Sequence, residues 1–356
     1  METRKEETRE PSPCLVWLVY VRSGFLEKER HESYIIGVDL GGTKILTVVA
    51  TEKGEILLRK KEETPAFEGP AVVLDQIEKD VQEVIRVQGI GIEEVRAVGV
   101  CAAGFYNHRE KVIVESPNLA GWNQIPLASR LEERIGRPVF VENDANAAAY
   151  GEYRLGAGRG RSHIIYITVS TGIGGGIIAD GEIFHGSQGY AGEIGHMTLD
   201  LHGPPCNCGS RGCLETLSSG TAIARQAREL LASGRSSRML EVAAMEGRQE
   251  VTARHVFTAA ELGDEAAREI VDRAIEYLGT GLAGMATLLN PEIFVIGGGV
   301  SMSGDSFFQP LREAFSRRAA GPVRENVQIV PAGLGDEAGI VGAVLLAVEA
   351  LAGEKS

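Results

Sequence analysis

Three cysteines and a histidine form the most distinctive chemical pattern in this sequence. Cys206, Cys208 and Cys213 lie within eight residues and are separated by glycines and polar residues. Thiolates at this spacing can converge on one tetrahedral Zn²⁺. His196, ten residues upstream of the first cysteine, is the candidate fourth ligand, and His202 is the spare candidate. The pattern therefore predicts a structural zinc knuckle.

Other uses of these thiols fit the sequence less well. Cys206 and Cys208 are too close for an easy disulfide, and a bridge to Cys213 would leave one thiol over. The sequence shows neither a cleavable signal peptide nor a cysteine-dense composition, which indicates a reducing, cytoplasmic compartment. A DNA-binding zinc finger would need a second Cys/His pair and a basic helix. Free thiols remain the alternative, and the isolated Cys14 and Cys101 are interpreted as small apolar filler.

Three glycine-rich turns follow three apolar runs, at residues 39–44, 171–176 and 297–299. Glycines in such turns let backbone N–H groups approach phosphate oxygens, and Thr43 and Lys44 add donors. The first turn is neither a P-loop nor the dinucleotide fingerprint, because a strand rather than a helix follows it. An ordinary hairpin is the alternative for one turn alone, but three such turns favour a phosphate site.

Candidate polar side chains accompany these turns. Asn143 and Asp144 end an apolar strand and open an alanine-rich helix, so Asp144 is predicted to cap that helix. A carboxylate at the carboxyl end of a strand in an α/β sheet also faces the usual ligand crevice. Taken alone, Glu193 and Glu215 would be surface acids and Asn118 a turn residue.

The elements that must position these residues alternate between strands and helices. Segments 34–61 and 163–184 share one plan, namely an apolar strand, a glycine turn, a return strand and a tight turn. Apolar residues at helical spacing predict helices over 71–87, 127–135 and 264–289. The alternation predicts an α/β fold with parallel pairing. Two similar halves facing each other would place two phosphate-binding turns across one cleft.

Length and charge limit the classes of function. The chain has 356 residues, enough for two domains, and 44% of them are apolar. The net charge of -13 argues against sequence-independent binding to nucleic acid or to an anionic membrane. No apolar run approaches the roughly 20 residues of a membrane span. A protein that acts on small molecules is therefore expected, with neither nucleic acid nor membrane as a partner.

Together, these motifs resemble those of one protein family. In chain order they are Asp39-Leu-Gly-Gly-Thr-Lys44, Glu142-Asn-Asp-Ala-Asn146, Ser170-Thr-Gly-Ile-Gly-Gly-Gly176, Glu193-Ile-Gly-His196 and Cys206-Asn-Cys-Gly-Ser-Arg-Gly-Cys213-Leu-Glu215. From about Tyr34 to its C-terminus the chain resembles the ROK family of sugar kinases and repressors, and within it the bacterial ATP-dependent glucokinases. The cysteine segment with Glu-x-x-His is highly specific for this family, whereas the glycine turns are much less so.

The resemblance implies an α/β protein with an actin/hexokinase-like ATPase fold, in which two lobes enclose a ligand cleft. Residues 34–144, completed by a C-terminal helix at 338–354, are expected to form the small N-terminal lobe. Residues 145–337 are expected to form the large C-terminal lobe, with the zinc knuckle at 196–215. Residues 1–33 match nothing in the kinase core and are expected to be a poorly ordered extension.

The resemblance also implies roles for the polar residues. Asp144 falls on the general base that accepts the proton of the sugar 6-hydroxyl. The positions that bind sugar are Gly104, Asn118, Asn143, Asp144, Glu193, His196 and Glu215. The positions near Mg²⁺ and the nucleotide are Asp39, Gly41, Gly42, Thr43, Lys44, Thr171, Gly172 and Gly298. The zinc ligands are His196, Cys206, Cys208 and Cys213.

The implied reaction is phosphorylation of the 6-hydroxyl of glucose by ATP with Mg²⁺, in a homodimer or homotetramer that also holds a structural Zn²⁺. A kinase for N-acetylmannosamine, N-acetylglucosamine or fructose is one alternative. A sugar-sensing regulator of the same family is another, although the acidic charge and the lack of a recognisable winged helix disfavour it. Replacing Gly42 or Gly172 by valine is expected to weaken ATP binding and to leave the sugar site largely preserved.

Overall fold

Two five-stranded sheets form the centre of the computed structural model, which describes residues 33–353. The predicted N-terminal extension therefore lies outside the described residues except for Ser33. Cys14 and residue 354 of the expected C-terminal helix lie outside them as well.

The first part of the chain supplies eight strands and three helices. These are β1 (Tyr34–Leu40), β2 (Lys44–Ala50), β3 (Ile56–Glu63), α1 (Pro70–Gln88), β4 (Val95–Ala102), β5 (Phe105–Asn107), β6 (Val112–Glu115), β7 (Asn123–Ile125), α2 (Leu127–Ile135), β8 (Val139–Asn143) and α3 (Asp144–Arg154).

The second part supplies five strands and eight helices within the described residues. These are β9 (Ile164–Val169), β10 (Ile173–Ala179), β11 (Glu182–Ile183), α4 (Leu214–Ser218), α5 (Gly220–Ala232), α6 (Met239–Met245), α7 (Ala253–Glu261), α8 (Glu265–Leu289), β12 (Ile293–Gly297), α9 (Asp305–Arg318), α10 (Gly321–Asn326), β13 (Gln328–Pro331) and α11 (Ala338–Gly353).

The two large sheets repeat one topology. The first has the order β3-β2-β1-β4-β8, and the second has the order β11-β10-β9-β12-β13. In each, the first three strands in sequence pair antiparallel; the fourth strand pairs parallel with the first, and the fifth pairs parallel with the fourth. The predicted internal repeat is therefore confirmed. A glycine turn joins the first and second strands of each sheet. The repeat therefore places one such turn at the carboxyl end of the central strand in each sheet.

Helices α3 and α11 lie between the two sheets. Helix α3 contacts β9 and β10, whereas α11 packs on β1 and β4 and also along α3. Their backbones approach so closely that a Cβ added at Gly342 would lie 1.7 Å from the Ala147 carbonyl oxygen. A Cβ added at Gly151 would lie 2.4 Å from the Ala338 carbonyl oxygen. Only glycine permits this approach, so the pair of helices connects the two sheets as one packed unit.

The start of α3 differs from the prediction. Asn143, not Asp144, is the capping residue, because its side-chain oxygen accepts hydrogen bonds from the backbone N–H of Ala145 at 2.9 Å and Asn146 at 3.1 Å. The prediction that Asp144 caps the helix is therefore wrong. Asp144 is instead the first helical residue, and its carboxylate accepts the Ala145 N–H at 2.9 Å.

Most other predicted elements have the expected positions. The helices predicted over 71–87, 127–135 and 264–289 correspond to α1, α2 and α8. Asp264 caps α8 through the Ala267 N–H at 2.8 Å, and Asn290 ends it in the left-handed conformation. Within residues 33–353, no helix has the length and apolarity needed to cross a bilayer.

Candidate functional site

Two aspartates mark the carboxyl ends of β1 and β8 in the first sheet. Asp39 pairs in register with Cys101 on β4, which pairs with Glu142 on β8, and Asp144 follows two residues later. Burial and, second to it, the charge of Asp144 raise the pKa of Asp39 to about 6, against the opposing effects of Lys44 and of the hydrogen bond from Cys101. The sheet therefore brings the two carboxylates close together.

The environment of Asp144 combines access with poor solvation. Its side chain is exposed to the cleft. Burial of its carboxylate by the surrounding protein nevertheless raises its pKa, and the hydrogen bond from the Ala145 N–H only partly offsets this increase. A group that is accessible and whose proton is held more tightly than in water suits a general base, because its basicity is enhanced at the position where a substrate can reach it.

Cys101 has a role that the filler interpretation missed. Its side chain is fully buried, and its thiol is hydrogen-bonded to the Asp39 carboxylate. It lies on β4, between β1, which carries Asp39, and β8, which leads into Asp144. Cys101 therefore fills space in the core and also stabilises the Asp39 carboxylate by a hydrogen bond.

The three glycine turns converge on the carboxyl ends of the two sheets. The turn at residues 41–43 joins β1 to β2, and the turn at 170–172 joins β9 to β10. Gly298, with φ of +87°, follows β12 and lies directly against Thr168 and Val169 of β9. The Val300 N–H also bonds the Val169 carbonyl at 3.0 Å. Because β9 and β12 are neighbours, the second and third turns form one continuous surface of backbone donors.

The phosphate-type turns are in direct contact with the predicted sugar residues. A Cβ added at Gly42 would lie 2.6 Å from the Asn118 Cβ. A Cβ added at Gly172 would lie 2.3 Å from the Glu215 carboxylate, which accepts the Ile173 N–H at 2.9 Å. A side chain at either position would displace a residue predicted to bind sugar. This geometry disfavours the expectation that valine at either glycine leaves the predicted sugar residues undisturbed.

The remaining sugar candidates surround Asp144. Asn143 donates to the Gly104 carbonyl at 3.1 Å, which connects the end of β8 to the turn after β4. Burial raises the pKa of Glu193 against the opposing charge of His196, and the charges of Asp144 and Glu215 add to the increase, so both carboxylates lie near Glu193. The sequence motifs are far apart along the chain, and the fold brings them to one site.

His196 connects the sugar candidates to the cysteine cluster. Its Nε2 lies 3.9 Å from the Glu193 carboxylate, and its Nδ1 lies 3.7 Å from the Cys206 Sγ. The ligand atoms of His196, Cys206, Cys208 and Cys213 all lie within 4.8 Å of one another. No disulfide links these thiols. His202 is not part of the cluster, and its backbone N–H bonds the Asp200 side chain.

The donor set and spacing of the cluster fit a zinc ion. The Sγ atoms of Cys208 and Cys213 are 3.7 Å apart. A tetrahedral site with Zn–S bonds of about 2.3 Å requires sulfur atoms roughly 3.8 Å apart. The backbone is already arranged for this, because the Cys206 N–H bonds the Ser210 carbonyl at 2.8 Å and folds the segment into a tight turn.

A cavity of about 850 Å³ opens beside the second and third turns. Its wall includes Thr171 and Val300, and Gly220 at the start of α5 donates its N–H to the Ser170 carbonyl at 2.7 Å. The other walls come from α5, α7 and the loop before α7, and sequence analysis named none of their residues. The missed residues that this cavity adds are Thr221, Ala224, Arg228, Glu250, Arg254 and Phe257. No short motif marks them, because each segment contributes only one or a few side chains.

Comparison with known proteins confirms the family resemblance. A family model described as "ROK family" matches residues 35–350. A glucokinase from Thermotoga maritima is 38% identical to this chain over 319 residues, which is 90% of this chain and 98% of that protein.

Two solved structures are similar in fold as well as sequence. A ROK family glucokinase from Streptomyces griseus, in complex with glucose and AMPPNP, is 38% identical, with a TM-score of 0.76 over 89% of this chain and 100% of that one. A ROK hexokinase from Thermus thermophilus is 37% identical, with a TM-score of 0.76 over 91% of this chain and 100% of that one.

Proposed function

The chain belongs to the ROK family, and from this membership and the geometry of its cleft we propose that it is an ATP-dependent glucokinase. One observation carries the proposal. The turn that would hold the phosphates and the carboxylate that would hold the sugar are joined by the hydrogen bond from the Ile173 N–H to Glu215. Phosphate donor and sugar acceptor are thereby brought next to each other, beside Asp144.

Asp144 acts on the sugar 6-hydroxyl in this proposal. It orients the hydroxyl for attack on the γ-phosphate and accepts its proton as the new O–P bond forms. The γ-phosphate leaves ADP and is transferred to the sugar oxygen, so the products are glucose 6-phosphate, ADP and the proton on Asp144. Asn118, Asn143, Glu193, His196 and Glu215 supply the polar groups that a sugar with many hydroxyls requires.

Asp39 is the residue that would hold Mg²⁺ with the nucleotide. The fit is supported by its raised pKa, because a carboxylate destabilised by burial and by a second carboxylate is one that a cation stabilises. When bound, Mg²⁺ would offset the charge on the phosphates. Lys44 and the N–H groups of Gly42, Thr43 and Thr171 would donate to the phosphates, whereas the Gly41 N–H closes the turn by bonding the Lys44 carbonyl at 3.0 Å. The cavity beside Thr171 would hold the adenosine.

The cysteine cluster would hold a structural Zn²⁺ through all four ligands, leaving no open position. Such a closed site acts on folding and not on the substrate. The ion would fix His196 at one end of the segment and Cys213, two residues before Glu215, at the other. It would thereby position two of the residues proposed to bind glucose.

Two lobes follow from this assignment. Residues 34–144 with α11 would form the N-terminal lobe and residues 145–337 the C-terminal lobe, with the substrates between them. Helices α3 and α11 cross where the lobes meet, so closure on glucose is proposed to hinge near this crossing. A homodimer or homotetramer stays a prediction, which sedimentation of the purified protein tests.

The proposal is tested by offering the purified protein ATP, Mg²⁺ and a panel of hexoses while ADP release is followed. The panel contains glucose, fructose, N-acetylglucosamine and N-acetylmannosamine. The highest kcat/KM is expected with glucose, and the product should be the 6-phosphate. A higher value with another hexose would assign the enzyme to that sugar, and turnover of none of them would favour a sugar-sensing regulator.

A further inference from the structure

A second cluster of metal-ligating side chains lies outside the residues proposed for glucose, ATP and the zinc knuckle. His108, in the turn between β5 and β6, places its Nε2 3.2 Å from one carboxylate oxygen of Glu142. His185, which follows β11, places its Nε2 2.8 Å from the other oxygen. The three ligand atoms all lie within 4.8 Å of one another. Two imidazoles and one carboxylate therefore converge from three separate segments.

Neighbouring groups hold this cluster in place. The Glu142 carboxylate also accepts the Asn143 N–H at 2.8 Å and the Asn146 side-chain amide at 3.1 Å. The rings of His108 and His185 have centroids 3.8 Å apart, and Tyr106 packs edge-on against His108 at 4.7 Å. Ligands whose orientation is fixed by such outer contacts are typical of metal sites.

The cluster is also accessible. Glu142 is buried, with only 6% of its surface exposed, but it borders a cavity of about 520 Å³ together with His108. Lys111 and Glu132 line the same cavity further out. An ion can therefore reach the cluster from solvent, and water can complete its coordination.

From this geometry we propose that His108, Glu142 and His185 bind a divalent first-row transition metal ion, with water in the remaining positions. Two nitrogen donors and one oxygen donor suit Zn²⁺, Co²⁺ or Ni²⁺. Mg²⁺, which prefers an all-oxygen shell, should not compete. Binding requires that each histidine carry its proton on Nδ1, so that both Nε2 atoms face the ion and Glu142.

The proposed ion would join a loop of the second half of the chain to the first. His185 begins the loop that leads to Glu193, and Tyr190 in that loop packs edge-on against Phe105 at 5.9 Å. A Cβ added at Gly189 would lie 2.7 Å from the Tyr106 carbonyl oxygen, so the loop rests on the β5–β6 hairpin. Metal binding would therefore restrain the loop that precedes a proposed glucose ligand.

The test is metal analysis of the full-length protein, with its cysteine cluster intact, after equilibration with Zn²⁺ buffered at a micromolar free concentration. Wild type should hold one Zn²⁺ per chain more than His108→Ala or His185→Ala. His163→Ala, which removes a half-exposed histidine outside the cluster, should match wild type. Equal zinc content in wild type and both cluster variants would overturn the proposal.

A second measurement does not depend on the variants. Crystals of wild type in the same buffer should show a zinc anomalous peak between the three side chains, and its absence would overturn the proposal. Hydrogen exchange of residues 185–192 should slow with Zn²⁺ in wild type but not in His185→Ala. Exchange that slows equally in both would show that the ion acts elsewhere.

Discussion

The fold changes the pKa values of Asp39 and Asp144, two residues that lie in recognisable sequence motifs. Burial raises the pKa of both carboxyl groups, and in Asp39 the pKa reaches about 6 because the charge of Asp144 adds to the effect. The pKa shift of Asp144 arises from burial, and that of Asp39 arises from burial first and from the nearby charge of Asp144 second. They make protonation of the site relevant near neutral pH, unlike that of an ordinary surface aspartate.

The pH dependence of activity follows from these shifts. A base must be ionised to accept a proton, so kcat/KM should fall as the pH drops through the raised pKa values. We expect kcat/KM for ATP, measured with excess Mg²⁺ and saturating glucose, to decline below about pH 6, where Asp39 also gains a proton. The decline should approach tenfold or more per pH unit. Discontinuous measurement of glucose 6-phosphate between pH 5 and 8 checks this, and a flat profile would contradict it.

At the residue scale, the sequence named Asp39, Asp144, Glu193 and Glu215 because each lies in a short motif. It missed Cys101 as a partner of Asp39, because a lone cysteine in an apolar strand has no distinguishing pattern. The histidines of the second cluster were missed for the same reason. His108 and His185 are 77 residues apart in sequence, and only the packing of their loops brings them to Glu142.

At the scale of elements, the contacts of the glycine turns also depend on packing between distant parts of the chain. Sequence analysis placed the turns correctly but treated the phosphate and sugar sites as separable. The structure packs Gly42 on Asn118 and Gly172 on Glu215. The turns proposed to bind phosphate therefore contact two residues proposed to bind sugar, and neither motif reveals these contacts.

Gly172→Ala tests this coupling with the smallest possible side chain. The new Cβ would lie 2.3 Å from the Glu215 carboxylate and must displace it. The KM for glucose should rise at least about tenfold, since a lost charged hydrogen bond is worth roughly 1.5–3 kcal/mol. Gly299→Ala, in the third turn, is the control because its nearest neighbour would be 4.0 Å away. An unchanged glucose KM in Gly172→Ala would show that Glu215 does not bind the sugar.

The crossing of α3 and α11 makes a separate prediction about stability. Gly342→Ala places a Cβ 1.7 Å from the Ala147 carbonyl oxygen, so the helices must move apart. Overpacking of this kind costs typically about 1–3 kcal/mol. Gly284→Ala in α8 is the matched control, because nothing lies within 4 Å of its added Cβ. Urea denaturation should show a loss of stability only for Gly342→Ala, and equal midpoints for both variants would contradict the close crossing.

Element positions were largely predictable, because long amphipathic helices and β-branched strands carry strong periodic signals. The three-stranded sheet of β5, β6 and β7 was not, since its strands have only three or four residues. Runs that short show no usable alternation. The capping residue of α3 was predicted wrongly because Asn143 and Asp144 are equally good capping residues in sequence, and backbone geometry decides between them.

At the scale of the whole molecule, the repeated sheet topology explains why one cleft has two phosphate-type turns. Each sheet contributes the same hairpin, and α3 and α11 fix the two sheets at a close distance. The repeat was visible in sequence as two segments with one plan. The cavity beside the second turn was not, because α5, α7 and the loop before α7 are brought together only by long-range packing.

The proposed zinc ion would also connect distant parts of the chain, because it joins two segments that each carry a residue proposed to bind glucose. Cys208→Ser should lose one Zn²⁺ per chain and raise the KM for glucose, because His196 and Glu215 lose their common anchor. His196→Ala should also lose the ion, whereas His202→Ala should retain it, as its side chain is not in the cluster. Metal analysis of the three variants checks this. Full glucose phosphorylation by zinc-free protein would contradict the anchoring role.

The most direct test of the account is a comparison of Asp144→Asn with wild type in both turnover and binding. The amide can still hydrogen-bond the sugar but cannot accept its proton, so glucose affinity by calorimetry should be nearly unchanged. The value of kcat should fall by roughly 10²–10⁴-fold, the range typical of general-base loss. Asp180→Asn, at an aspartate with 92% of its side chain exposed, should behave as wild type. Near wild-type kcat in folded Asp144→Asn would remove Asp144 from the mechanism and contradict the central claim.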